Sequence, residues 1–314
     1  MNRIEKAIDS LLIETKGEIF SRIEKVSFEV TVLETQAKCY CYSVKRDNNG
    51  NLRVEDLIDF IDEKIVDYAI PKKKIDEAKK YLADTGSTSK ILKLKKQAVE
   101  LFTSLKKTGE GGELLLYILA IEILKIPQLI SKMSLKTSGE LHYQGSDGIH
   151  VKYDDLTKSL NLYWGESKMY KNISKAFLEC FKSLNSYLLD PYSYKSTQER
   201  DLVLITDNIS QNINNEDFEN LIVAYFDKDN DLSNKLTYKG ICFIGYDSDK
   251  YEDDAKTMDE VKKELLIELE KHYKSISTQI KKYSGLDKKE IHVFLMPFPS
   301  VEDFRKYYLN TLKA

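Results

Sequence analysis

Residues 145–168 read GSDGIHVKYDDLTKSLNLYWGESK. Apolar side chains recur at every second position in Ile149, Val151 and Tyr153, and again in Leu160, Leu162 and Trp164, which is the period of a strand with a buried face. The polar run 154–159 between them supplies a turn, so the stretch predicts an antiparallel hairpin. Folding it about the midpoint between Leu156 and Thr157 sets Asp147 opposite Glu166, because both stand equally far from that midpoint. Residues two apart share a face, so Lys168 follows Glu166, and two acids and a lysine continue the apolar row. Ionised groups in line with a buried face are costly unless they pair or hold a cation.

Outward from the hairpin, the pattern is α/β. Upstream, an apolar helix is expected over 113–125 and a strand over 131–137. Downstream, a helix is expected over 173–189, a strand over the apolar run 202–206, strands over 240–246 and 291–296 around a long helix over 258–282, and a closing helix over 301–312. Helix, three strands, helix, strand is a compact unit whose strands are covered by helices. The first third predicts an amphipathic helix over 1–16, strands over 28–33 and 39–44, a turn at 47–50, and helices over 54–68, 73–82 and 90–105 broken at Pro71 and at 84–87. These observations divide the chain at the glycine-rich break after residue 107 into an N-terminal α+β subdomain, 1–107, and a second domain with a C-terminal extension, 108–314.

The candidate chemistry sits at the end of the hairpin. Paired carboxylates about one strand spacing apart can bind Mg²⁺ through oxygen, and the ion polarises a phosphate and activates water. A lysine beside them can orient that water or stabilise charge developing on the phosphorane. Gly145 and Gly148 bracket Asp147 and permit close backbone approach. The acid-x-Lys pattern also occurs at Glu14, Asp62, Asp254, Glu260 and Asp287, so its weight at Glu166 comes from the partner strand carrying Asp147. The plainer alternative is a turn aspartate beside a solvated strand end. Glu113, at the start of the helix GGELLLYILAIEIL, is either a fourth acid of the site or a first-turn acid complementing the helix dipole.

These residues are familiar as a set. A helix bearing Glu113, then Gly-Ser-Asp147-Gly, then Glu166-Ser-Lys168, resembles the PD-(D/E)xK nuclease superfamily. The segment GELLLYILAIEILKIPQLISKMSLKTSGELHYQGSDGIHV, residues 112–151, followed by WGESK, looks more narrowly like the HamA family, the nuclease subunit of Hachiman anti-phage defence. The resemblance is clearest over 110–190. It implies a restriction-endonuclease-like α/β fold, a mixed sheet flanked by helices, and a DNA-cleaving effector restrained by a HamB-like helicase subunit. Carried over, Asp147, Glu166 and Glu113 would be ligands of Mg²⁺ or Mn²⁺ and Lys168 the catalytic lysine. The naming proline is missing, since Ser146 precedes Asp147. Two other functions fit the same residues: a non-catalytic DNA-binding or regulatory subunit of a helicase complex, and an RNA-directed nuclease.

Composition adds boundaries. The chain has 314 residues, 42% hydrophobic, enough for a substantial core, and its net charge of −3 does not announce a polyanion partner. Any nucleic-acid contact must be local, and residues 71–107 hold eleven lysines against four acids, a surface for a nucleic-acid backbone or an acidic partner. By contrast 247–260 holds seven acids and two lysines. No apolar run reaches the length of a membrane span and the start MNRIEKAIDS lacks the apolar core of a signal peptide, so a cytoplasmic protein without a membrane partner is expected. Cys39, Cys41, Cys180 and Cys242 have neither disulfide nor zinc spacing and are expected as buried apolar side chains. His142 and His150 are not expected as ligands, and 108–112 lacks the Gly-Lys-Ser/Thr of a phosphate loop.

Overall fold

A computed structural model describes residues 3–103, 109–131, 146–189, 197–213, 215–253 and 256–313. The chain begins with α1 (Arg3–Asp9), β1 (Ile23–Thr31) and β2 (Ala37–Val44), then α2 (Val54–Glu63), α3 (Ile65–Ala69), α4 (Lys72–Thr85) and α5 (Ser89–Thr103). Its middle is α6 (Glu110–Leu124), β3 (Gln128–Ser131), β4 (Gly148–Asp154), β5 (Ser159–Tyr170) and α7 (Ile173–Leu188). It closes with α8 (Thr197–Asn208), α9 (Glu216–Phe226), β6 (Leu236–Asp247), α10 (Met258–Lys281), β7 (Ile291–Phe298) and α11 (Val301–Thr311).

The strands make one seven-stranded mixed sheet in the order β1-β2-β7-β6-β5-β4-β3. Its centre, β2-β7-β6-β5, is parallel, and the outer pairs are antiparallel. Helices cover both faces, so two cores form. Ile149, Val151, Leu162 and Trp164 pack with α1, α7, α8, α9 and α10 on one side. Tyr163, Met169, Phe243 and Phe294 pack with α2, α3, α6 and α11 on the other. This α/β architecture, a mixed sheet flanked by helices, agrees with a restriction-endonuclease-like fold. The sheet runs across the expected domain division: β2 pairs with β7 from Ala37↔Ile291 to Cys41↔Leu295. All four cysteines are free and buried, as their spacing implies.

The hairpin register is the one expected from the sequence. Gly148 pairs with Gly165, Ile149 with Trp164, and so on to Asp154 with Ser159. The row Ile149, Val151, Leu162 and Trp164 faces one core as predicted, but His150, Asn161, Tyr163 and Gly165 of the opposite row are buried too, with α6 on that side and only Lys152 exposed. Residues 114–121 of that helix are all buried, and an α-helix apolar all round belongs inside.

Three expectations are corrected. Residues 202–206 form the middle of helix α8, not a strand. Gln198, Asp201, Leu202 and Ile205 are its buried positions, a helical spacing, while Val203 is exposed, so the apolar run is one stripe plus an outward valine. The strand after α7 is β6. Residues 54–68 break at Lys64 into α2 and α3. The first helix ends at Asp9 instead of 16, because buried Glu122 of α6 accepts the Thr15 and Gly17 N–H groups and the Thr15 hydroxyl, drawing that segment out of helical geometry. Of the strand expected over 131–137, residues 132–137 lie outside those described.

The spacing between α6 and the hairpin depends on Gly165. A Cβ there would stand 3.0 Å from the Gly148 carbonyl oxygen and 3.0 Å from Leu116 Cδ2, and the carbonyl belongs to the ladder and cannot rotate away. Gly165→Ala is expected to lower unfolding free energy by about 1–3 kcal/mol, the usual cost of overpacking. Urea unfolding measures this, and an unchanged midpoint would contradict the close approach.

Candidate active site

Asp147 immediately precedes β4 and leaves the regular ladder. Its N–H donates to the Gly165 carbonyl at 2.9 Å, and its Oδ2 accepts the Ser167 N–H at 2.8 Å. The residue therefore grips β5 on both sides of Glu166. Asp147 and Glu166 are 6% and 4% exposed, a degree of burial at which carboxylates need compensation. Lys168 provides part of it, its ammonium donating to Glu166 Oε1. Burial pushes the Lys168 pKa down, but the Glu166 and Asp147 charges and the hydrogen bond outweigh it and hold the ammonium above the ordinary lysine value. That both carboxylates act on one lysine places Asp147, Glu166 and Lys168 in one electrostatic unit.

Glu113 comes from the other face of the sheet, in the first turns of α6. Gly112 lets that turn sit on β5, for a Cβ there would fall 2.5 Å from Ser167 Oγ. Gly112 thus seats the helix against a strand, while Gly111 seats it against Phe304 of α11. Glu113 is tied to Asp147 by a residue sequence reasoning missed, Tyr68 of α3. The buried Tyr68 hydroxyl lies 2.7 Å from the Asp147 carbonyl oxygen and 3.2 Å from Glu113 Oε2, donating into both. Its ring packs edge-on against Tyr117 and Phe102. No signal in the sequence marks it, since it sits at the end of an ordinary apolar helix pattern 79 residues before its partner.

Beneath the carboxylates are thiols. Cys242 pairs with Glu166 across β5 and β6, and Cys180 Sγ is 3.9 Å from the Glu166 carbonyl oxygen. Burial first, then Cys180 and Glu166, holds the Cys242 thiol well above its usual range, so its sulfur is a neutral packing atom. His150 is on the opposite side of β4, its Nδ1 3.3 Å from the Ile126 carbonyl. His142 and Gly145 lie outside the described residues.

A family model described as HamA matches residues 19–312, nearly the whole chain. The chain belongs to the HamA family. No curated protein matches it. HamA-family membership makes it a component of Hachiman anti-phage defence, and among the described residues no helix is long and apolar enough to cross a membrane.

The donor set suits a hard cation. Asp147 and Glu166 offer carboxylate oxygens, with the buried Cys180 and Cys242 side chains behind them. Among the described residues no three acidic, histidine or cysteine side chains close into a cage. Mg²⁺ is characteristically held by one or two carboxylates, with water and substrate phosphate completing its octahedron. A two-carboxylate donor set of this kind fits it, with Glu113 tied to the Asp147 backbone through Tyr68.

Two outcomes follow for this HamA-family site. Burial pushes the His150 imidazole down to about 4 from 6.5. The unfolded chain therefore takes up this proton first: the contribution is complete above pH 6.5 and is lost as pH falls toward 4. Between pH 7 and pH 5 it is worth about 2 kcal/mol, and His150→Gln should flatten the pH dependence of urea unfolding by that amount. Tyr68→Phe removes a donor from two buried acceptors and should cost about 1–3 kcal/mol. Wild-type stability in the Phe variant would mean the hydroxyl does not hold Glu113 and Asp147.

Proposed function

We propose that this chain is a metal-dependent deoxyribonuclease, the effector of its defence system, which hydrolyses DNA phosphodiester bonds and is restrained by a helicase partner. The observation that carries the reading is the juxtaposition of Asp147 and Glu166 at the end of the hairpin, with Lys168 under both their charges. The restraint by a helicase rests on the family's place in Hachiman defence.

In this reading Asp147 and Glu166 hold Mg²⁺ or Mn²⁺. When bound, the cation polarises the scissile phosphate and lowers the pKa of the attacking water. Lys168 contributes a fixed positive charge and hydrogen-bond donors toward phosphate oxygens as charge builds on them. The Ser167 N–H orients the Asp147 carboxylate, and Tyr68 fixes the backbone that carries it. Glu113, held by the same hydroxyl, supplies a third acid at the rim of the site. Burial of the carboxylates strengthens every charge interaction among these groups by excluding water.

Plasmid DNA incubated with the purified chain, alone and with its helicase partner, should be nicked or degraded in Mg²⁺ or Mn²⁺ and spared in EDTA. Glu166→Ala and Lys168→Ala should each reduce the rate by about 100-fold or more while keeping the wild-type thermal transition. Undiminished cleavage by both variants would sink the assignment. RNA run in parallel should survive; its cleavage in place of DNA would turn the reading to an RNA-directed nuclease.

A further inference from the structure

The nine lysines of residues 71–103 face only four acids there, a net charge of +5 in a chain whose total is −3, so everything else sums to −8. These lysines stand on α4 and α5, an antiparallel pair turned by Gly86 in left-handed geometry at φ 72°. The pair is rooted in the second core by Ile75, Ala98 and Phe102, with half-buried Leu94 packed against it; between residues 81 and 97 none is fully buried. At 1.5 Å per residue, the part of α4 beyond Ala78 and the part of α5 ahead of Leu94 run on the order of 8–11 Å beyond the core. Lys73, Lys74, Lys79, Lys80, Lys93 and Lys96 are exposed, and none forms an ion pair among the described residues. Lys95 pairs with Asp62 and Lys72 with Asp76. Lys90 lies 4.3 Å above the Tyr81 ring.

The base of this arm is at the candidate site. Tyr68, whose hydroxyl bridges Asp147 and Glu113, lies four residues before Lys72. Phe102, at the other end of the arm, packs on the Tyr68 ring with centroids 5.9 Å apart. An acidic protein partner would require no such adjacency, whereas a polyanion entering the Asp147–Glu166 site would pass along the arm.

We propose that the α4–α5 arm is a clamp for the phosphate backbone of duplex DNA beside the Asp147–Glu166 site, spanning about two to three base pairs at 3.4 Å each. The inference rests on the nuclease reading for what happens to that DNA, but binding itself needs no cleavage. Unpaired ammonium groups gain by displacing the counterions condensed on phosphates, so the clamp is indifferent to sequence and sensitive to salt.

The test uses the full chain in EDTA with a fluorescent 20-base-pair duplex, titrated by anisotropy over a range of salt concentrations. Lys73, Lys80, Lys93 and Lys96 changed together to Gln should weaken binding about tenfold or more at low salt and flatten the slope of log affinity against log salt by about 2–4, at 0.9 per phosphate contact. The same substitution at Lys263, Lys271, Lys274 and Lys282, exposed on and just beyond α10, controls for net charge and should leave most of the affinity. Equal losses in both variants, or an unchanged slope in the arm variant, overturn the proposal, the latter leaving the arm to an acidic protein. In Mg²⁺ the arm variant should raise KM with little change in kcat. Arm-dependent binding without any cleavage by wild type would fail the nuclease reading alone; cleavage without arm dependence would fail the clamp alone.

Discussion

Two acidic residues set across from each other at the end of one hairpin, and buried there, are the constraint from which the surrounding structure follows. In a low-dielectric setting Asp147 and Glu166 repel each other and lose hydration, an arrangement that survives only with opposing charge and donors. Lys168 supplies the charge from two residues along the same strand. The Ser167 N–H supplies a donor from the strand itself, and Tyr68 anchors the Asp147 backbone from outside the hairpin. The same geometry concentrates acidic side chains at one end of the hairpin in this HamA-family chain.

The layers of the fold serve that hairpin from both sides. On one face Trp164 donates its indole N–H to the fully buried Asp201 of α8 at 3.2 Å, fixing the strand just ahead of Glu166. On the other, α6 lies so close to β5 that a Cβ at 112 or 165 would crowd its neighbours. Glu113 is thereby delivered beside Tyr68 without a flexible loop. Away from the site, the first residues of the parallel strands are tied by Glu290, which accepts from Lys239 at 2.8 Å and meets His292 Nε2 at 3.1 Å. The His292 hydrogen bond, together with Lys239 and against burial, holds the Glu290 carboxyl at about 2. Strands and helices thus carry the side chains of the candidate site, which holds them more precisely than loops would.

Much of this was legible in the chain itself, for identifiable reasons. The hairpin register followed from alternation and a single polar turn, because a slip of one residue would turn every apolar side chain to the wrong face. Helices over 113–125, 173–189, 258–282 and 301–312 were legible from apolar periodicity, with boundaries displaced by a few residues. Residues 202–206 were misread because five apolar and β-branched residues satisfy a strand pattern and a helix pattern equally. The early end of the first helix was hidden, since the Glu122 carboxylate that decides it lies more than a hundred residues away.

By itself the sequence determined the α/β class, the pairing of Asp147 with Glu166 and the position of Lys168, because these depend on short-range periodicity and on the twofold alternation of strands. The tertiary structure alone decided that both faces of the hairpin are buried, that Glu113 approaches from the face opposite Trp164, and that Tyr68 joins it to Asp147. It alone set the lysine-rich helices beside that cluster. Those relations are contacts between segments tens of residues apart, fixed by how two helical layers close on one sheet, and no local pattern of residue types encodes such a closure.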